Sequence, residues 1–453
     1  MSSLGFQWIV SVLSNAGFGV ERAFLPDDVE VWQRAHLPVL TLESHTSLAD
    51  FPVIAVSVAY ELELAGLVQL LQLCGIPPLR RQRNEKHPKI LIGGPLTFSN
   101  PRPCMPFADA MIWGEADDVV VPALEAFFEA GDFADLAAMP GGWIPDMGSA
   151  PVAVAKADEA RLPARSRLWS PNAELSDMFL LEGERGCHRA CTFCVMRRST
   201  NGGMRLVTPE RLLEVVPAEA PRVGLVGAAI SDHPQLVGLI ERLVHAGKGV
   251  GISSLRADRV ALKPDIPRLL RQAGYSTLTV ASDAASQRLR RELSKGTTEA
   301  HLLACAEAAR EHKYRLLKVY MMVGVPGETD TDIDELIAFT RTLAAIHPVA
   351  LGIAPFVPKA NTPLSGASFA GIKAVESRLD RLRTGLKGSR AEIRPTSARW
   401  AWVESRLAQG GPAEGEAVIR AVEQGGSFAA WKRALGEAGE PDVGEAGIPQ
   451  TCV

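Results

Sequence analysis

Residues 178–204 read MFLLEGERGCHRACTFCVMRRSTNGGM, an apolar run that ends at Gly183 and opens into a loop carrying Cys187, Cys191 and Cys194. The spacing is C-x3-C-x2-C. Three thiolates on one short loop can take three corners of a 4Fe-4S cube and leave the fourth iron without a protein ligand, a position open to chemistry. Structural zinc would need a fourth Cys or a His to close a tetrahedron, and His188 lies inside the loop, badly placed for it. A disulfide framework fits worse, because seven cysteines in 453 residues are few and odd in number. Cys74, Cys104, Cys305 and Cys452 form no second triplet.

Hydrophobic content of 47% with 22% charged residues is that of a soluble globular chain, and the length suggests about three domains. A net charge of -4 supplies no global field for nucleic acid. No apolar stretch reaches the length of a membrane span, and the opening MSSLGFQWIV lacks the basic start and long apolar core of a signal peptide. A cytoplasmic protein is expected, in the reducing compartment that an oxygen-labile cluster needs.

The first 150 residues alternate apolar runs with helical segments, as a parallel α/β domain does. Leu4 to Ala16 and Leu62 to Cys74 have helical spacing, while Val39 to Leu42, Val53 to Tyr60, Lys89 to Ile92 and Ala110 to Trp113 read as strands. Gly93 and Gly94 close a strand before Pro95, where backbone can approach a ligand or merely turn tightly. Pro151 to Pro171 has linker composition. From about Asp177 to Pro363, six strand-like runs alternate with helices: Met178 to Glu182, Arg222 to Val226, Gly249 to Ile252, Ser276 to Val280, Leu317 to Val323 and Ala350 to Ile353. Such a pattern suits a partial barrel with ligand groups at the carboxyl ends of its strands. Beyond it the pattern turns helical. Ile372, Val375, Leu379, Leu382 and Leu386 form one apolar stripe opposite Arg378, Arg381, Arg383 and Lys387. Trp400, Trp402 and Trp431 follow. Core tryptophans and a wet basic face explain these better than an RNA surface does.

GERGCHRACTFC resembles the cluster loop of the radical S-adenosylmethionine (SAM) enzymes, and its surroundings resemble the subgroup with an N-terminal cobalamin-binding-type domain. The resemblance implies that SAM chelates the free iron through its amino and carboxylate groups, and that an electron from the cluster breaks a carbon-sulfur bond to give a 5'-deoxyadenosyl radical. It implies SAM contacts from Phe193 beside the third cysteine and from Gly227 and Ala228 after the second strand, where the family often has Gly-Gly-Glu. Ser253 and Arg256 after the third strand, Asp283, Ser286 and Arg288 after the fourth, and Val325 after the fifth complete the set. Arg256 could equally pair with Asp258. In the first domain the order of strand, Gly-Gly-Pro, Asn100-Pro101 and Trp113-Gly114-Glu115 is similar to the cobalamin type, which implies Ser57, Gly93, Gly94, Pro95 and Glu115 as cobalamin contacts. The family's Asp-x-His-x-x-Gly ligand pattern is absent, since His36 and His45 lie in no such spacing.

The expected fold class is α/β. It comprises an N-terminal doubly wound (Rossmann-like) domain at 1–150 that lacks its first strand, a linker at 151–175, a central partial (β/α)6 barrel at 176–365 and a helical extension at 366–453. The expected cofactors are a 4Fe-4S cluster and SAM, with cobalamin as a third that the resemblance allows. The leading function is a radical SAM enzyme, as a C-methyltransferase if cobalamin binds and as a catalyst of rearrangement or cyclisation if it does not. A methylthiotransferase would need three more cysteines early in the chain, where only Cys74 and Cys104 stand. A non-catalytic iron-sulfur or cobalamin carrier is the reading from another class. Expected partners are a small-molecule or peptide substrate and an electron donor such as a flavodoxin or ferredoxin, with neither membrane nor nucleic acid. Arg185, Arg189, Arg197 and Arg198 crowd the loop, either to raise the potential of an anionic cluster or as a solvated face.

Overall fold

Buried parallel strands read as short, nearly continuous apolar runs, and those runs become the sheets of this chain. A computed structural model describes residues 3–148, 153–196 and 203–439, and the fold divides into two units. The first holds Trp8–Arg161, Lys359–Gly366 and the described residues from Val403 onward. Its sheet places β1 (Val53–Ser57), β2 (Lys89–Gly93), β3 (Ala110–Ile112) and β4 (Gly142–Trp143) side by side in that order, with only β4 antiparallel. Leu91 and Ile112 pack with Val12, Leu13, Leu124 and Phe127 in its core.

Val39 to Leu42 is not a strand. Only Leu40 bridges to Ser47, because the chain turns back there: the Thr41 N–H donates to the Thr46 carbonyl at 2.9 Å, and the hydroxyls of Thr41 and Ser44 both donate to Glu21 at 2.5 Å.

The last helices belong to this first unit. Pro412–Glu423 packs against Glu63–Leu73 and the turn Arg102–Cys104. A Cβ on Gly415 would lie 2.2 Å from the Pro103 carbonyl oxygen, so only glycine lets the helix come this close. The Asn100 amide donates to the carbonyls of Ala408 and Gly410 at 3.1 and 2.7 Å, satisfying groups that the end of helix Ala398–Gln409 leaves open. Lys359 bridges Glu61 and Glu404 at 2.6 and 2.7 Å.

The second unit holds the described residues up to Gln7, with Leu162–Pro358 and Ala367–Trp402. Strand β5 (Met178–Glu182) leads into the short β6 (Glu184–Arg185), which pairs antiparallel with β7 (Arg205–Leu206). Strands β5, β8 (Arg222–Val226) and β9 (Gly249–Ile252) form one parallel sheet. A second parallel sheet runs β10 (Leu255–Arg256), β11 (Thr277–Ala281), β12 (Leu316–Val323), β13 (Val349–Pro355) and β14 (Ala391–Pro395). Helices cross between successive strands, the arrangement of a partial barrel. Between the sheets the Tyr275 hydroxyl hydrogen-bonds both backbone groups of Ile252, donating to its carbonyl at 2.7 Å, so a side chain stands where a ladder partner would.

Two sequence expectations change here. The stretch 366–453 contains β14, a further parallel strand reached through helix Ile372–Gly385. The stretch expected as a linker is hydrogen-bonded at both ends of its described part. Ala155 bridges Gly114, while Ala164 and Ser166 bond the backbone of Glu182 and Leu180 at 2.9 Å.

Candidate active site

Strand β5 ends at Glu182, and the chain turns through Gly186, whose φ of 83° a side chain would strain, to set Cys187 at the head of the loop. β6 leaving and β7 returning fasten the base of that loop. Cys187 and Cys191 are buried and Cys194 is partly so. The Arg189 N–H points at the Cys187 sulfur from 3.4 Å, the Cys191 thiol at the Ser294 carbonyl from 3.8 Å, and the Thr192 N–H donates to Leu293 at 3.1 Å. Burial pushes the Cys187 thiol up and the Cys194 thiol to about 11, and the neighbouring cysteines add to both shifts. Ligation must therefore displace protons.

The donor set can be tested against the groups it would hold. Among the described residues no three His, Cys, Asp or Glu side chains gather as ligands of one metal ion. His188 turns elsewhere, with Nδ1 3.3 Å from the Met204 sulfur and Nε2 3.7 Å from Asp232. A closed zinc tetrahedron would need a fourth ligand that His188 does not offer in this position, whereas three cysteines on one loop suit a cube whose irons take one cysteine each.

The two described arginines of the loop are both paired. Arg185 pairs with Glu182 at 2.6 and 2.9 Å. Arg189 grips Asp232 at 2.6 and 2.8 Å, and Arg259 meets the same carboxylate at 2.5 Å. Burial works against ionising Asp232, but Arg189 and Arg259 overcome it and hold the carboxyl down at about 2. Arg197 and Arg198 lie outside the described residues.

The residues expected to touch SAM are dispersed among different tasks. Phe193 is half-buried between two of the cysteines, and Ser253 and Ala228 are exposed at strand ends. Gly227 follows β8, where a Cβ would lie 2.3 Å from Glu184 Oε1. Arg256 is buried, facing Asp258 at 3.0 Å and donating to the Lys295 carbonyl at 2.8 Å. Asp283 adopts a left-handed φ of 62° and pairs with Lys295. Val325 is buried beyond Gly324. Ser286 is fully buried, caps helix Gln287–Glu292 and donates to Asp332 at 2.5 Å, so its hydroxyl is already engaged. Arg288 bonds Asp332 and the Gly327 carbonyl at 2.6 and 3.0 Å, holding the same cap.

In the first unit, Ser57 and Pro95 are exposed at neighbouring strand ends, and Gly93 ends β2. What approaches Gly94 is the chain itself, since a Cβ there would lie 2.7 Å from the Val58 backbone. Glu115 is buried and accepts the Ala157 N–H at 2.9 Å.

Sequence reasoning missed Glu184. It is 1% exposed, one oxygen accepts the Ala229 N–H at 2.6 Å, and Oε2 is buried with no partner among the described residues. Burial first, then Glu182 and Asp232 nearby, push its carboxyl up to about 7 despite that hydrogen bond. The buried acid thus ties the loop after β8 to the strand that enters the cysteine loop. Only the glycine at 227 hinted at it.

Residues 183–340 match a family model described as the radical SAM superfamily, and residues 5–135 match one described as the N-terminal part of radical SAM proteins. An uncharacterized protein of Methanocaldococcus jannaschii is 27% identical over 359 residues, 76% of this chain and 75% of its own. The structure of the cobalamin-dependent SAM radical enzyme OxsB with aqua-cobalamin bound aligns with a TM-score of 0.50 at 13% identity, over 75% of this chain and 49% of that one. OxsB with aqua-cobalamin and SAM bound aligns at 0.50 and 12% identity, over 96% of this chain and 69% of that one. The chain thus spans about half of the first of these structures, and at such identity the likeness is one of fold. Two family matches, over residues 5–135 and 183–340, and a cysteine triplet at the carboxyl end of the first barrel strand place this chain in the radical SAM superfamily, and what it shares with OxsB is the fold.

Proposed function

We propose that this enzyme reductively cleaves SAM at a 4Fe-4S cluster held by Cys187, Cys191 and Cys194. The observation that carries the reading is one pinned loop that holds all three cysteines within eight positions, two of them buried and the third half-buried. Cluster and SAM, when bound, supply a one-electron cleavage of a carbon-sulfur bond that releases a 5'-deoxyadenosyl radical. The chain's own share is to fix the loop through Arg189 and Asp232, and to bury the thiols from water. Phe193, Gly227, Ala228, Ser253, Arg256, Asp283 and Val325 are the SAM contacts we propose, and Arg288 orders the turn beside them. Anaerobic reconstitution should give close to four irons per chain and 5'-deoxyadenosine once a reductant and SAM are added. A cluster-replete sample that forms none would refute the reading.

The finer reading is methyl transfer to a substrate carbon with cobalamin at the open edge of Ser57, Gly93, Gly94 and Pro95, Glu115 holding the adjoining segment. It is supported by the fold shared with OxsB and by the exposure of Ser57 and Pro95. Without cobalamin, the same core would serve a rearrangement or cyclisation. The visible absorption of protein incubated with hydroxocobalamin and desalted separates the two. A cytoplasmic setting, an electron donor of the flavodoxin or ferredoxin kind and a small-molecule or peptide substrate complete the proposal.

A further inference from the structure

The sheet of β11–β14 has two unlike faces. On β12, Leu317, Val319, Met321 and Val323 are buried on the side the crossing helices cover, while Lys318 and Tyr320 point the other way, toward the barrel interior. Register places Thr279, Lys318, Ala350 and Glu392 in one row across four strands, and Ala281, Tyr320, Gly352 and Arg394 in the next. This inner wall is open: the Tyr320 side is 40% exposed.

Its floor is shaped for two side chains. A Cβ on Gly352 would lie 2.9 Å from the Tyr320 ring and 3.5 Å from Lys318 Cε, so glycine lets both lean across the neighbouring strand. The Lys318 ammonium sits 3.0 Å from the Tyr320 hydroxyl and 4.5 Å from the ring centroid. Glu392 and Arg394 neutralise each other at 2.9 Å along their own strand. Lys318 has no such partner: among the described residues no carboxylate comes within ion-pair distance of it. The inner wall therefore carries one unmatched positive charge flanked by a phenol and, in the same row, a threonine hydroxyl. All three can donate to an anion.

We propose that Lys318 and Tyr320, with Thr279 beside them, bind a carboxylate or phosphate group of the substrate on the inner wall of the barrel. The assignment of this wall to substrate rests on the radical SAM reading, but the anion site itself does not. The Tyr320 carbonyl accepts the N–H groups of Ser282 and Asp283 at 2.9 and 3.1 Å, which ties its strand to the turn that carries Asp283.

The chain has four tyrosines, so protein labelled with 3-fluorotyrosine gives a fluorine spectrum simple enough to follow Tyr320, identified by the line lost in Tyr320→Phe. Sodium succinate and inorganic phosphate, each balanced against chloride, are the probes. The expected result is a saturable shift of the Tyr320 line with one or both, the other three lines holding still. Which probe acts separates a carboxylate from a phosphate substrate. Lys318→Met should weaken the apparent affinity about tenfold, the loss of about 1.4 kcal/mol. Gly352→Ala should move the Tyr320 line with no anion present. An unmoved Tyr320 line with both probes, or an equal shift in Lys318→Met, overturns the proposal. The measurement needs no cluster, so a wild-type enzyme that fails to cleave SAM would sink the functional reading and leave this one standing.

Discussion

Glu184 makes the stability of the barrel unit depend on pH in a direction opposite to most carboxylates. Its ordinary value near 4.5 rises to about 7 because burial opposes charge, and the single hydrogen bond from Ala229 does not compensate. Below about pH 4.5 the acid is neutral in folded and unfolded chains alike, and its contribution is fully present. Between 4.5 and 7 the unfolded chain ionises first, and stability falls until the folded form ionises too. The whole displacement is worth roughly 3 kcal/mol. Glu184→Gln keeps a carbonyl for the Ala229 N–H and cannot ionise. At pH 8 it should therefore be more stable than wild type by up to about 3 kcal/mol, with the difference shrinking to under about 1 kcal/mol at pH 5. A chain of two units need not unfold as one. The assay is therefore hydrogen exchange in graded urea on peptides covering 178–187 and 222–230, in metal-free reduced protein at fixed ionic strength. Wild type and variant whose stabilities run parallel from pH 5 to 8 would refute the reasoning.

Three further substitutions test other joints of the structure. Gly415→Ala drives a methyl into the Pro103 carbonyl and should cost the first unit about 1–3 kcal/mol, read as a lower urea midpoint with unchanged slope for that unit. Tyr275→Phe removes the hydroxyl that bonds both backbone groups of Ile252, and a loss of about 1–3 kcal/mol with faster exchange at the Ile252 amide is expected. Ser286→Ala deletes a helix cap and the bond to Asp332, so thermal unfolding should fall by the equivalent of about 1–2 kcal/mol. SAM affinity, by equilibrium dialysis on the cluster-bearing protein, should hold.

The cysteine loop was legible because it is local: three cysteines within eight positions share one loop whatever the rest of the chain does. The barrel strands from Met178 to Val323 were legible because strands buried on one face and backed by helices keep their apolar pattern. Strand β14 was not, since AEIRP alternates charge with small apolar residues and its inner positions face an open wall. Docking of Pro412–Glu423 in the first unit was hidden for another reason. An apolar stripe says that a helix is covered, never by what, and the glycine that fits Pro103 is one of forty. Ser286 shows how one pattern carries two meanings. A serine ahead of Gln287-Arg288-Leu289 reads as a ligand in a family motif and equally as a helix cap, and only the burial of the hydroxyl decides.

Charge around the cysteine loop follows the same logic of pairing. Four guanidiniums, from Arg185, Arg189, Arg256 and Arg259, face three carboxylates, from Glu182, Asp232 and Asp258. Among these described groups one positive charge remains. What Arg189 and Arg259 supply is position. Asp232, with no exposed side-chain surface, receives Arg189 from the loop and Arg259 from helix Ala257–Leu262, so the cysteine loop is clamped to a neighbouring barrel element by a carboxylate that stays ionised at any ordinary pH. The clamp is built from protein groups alone.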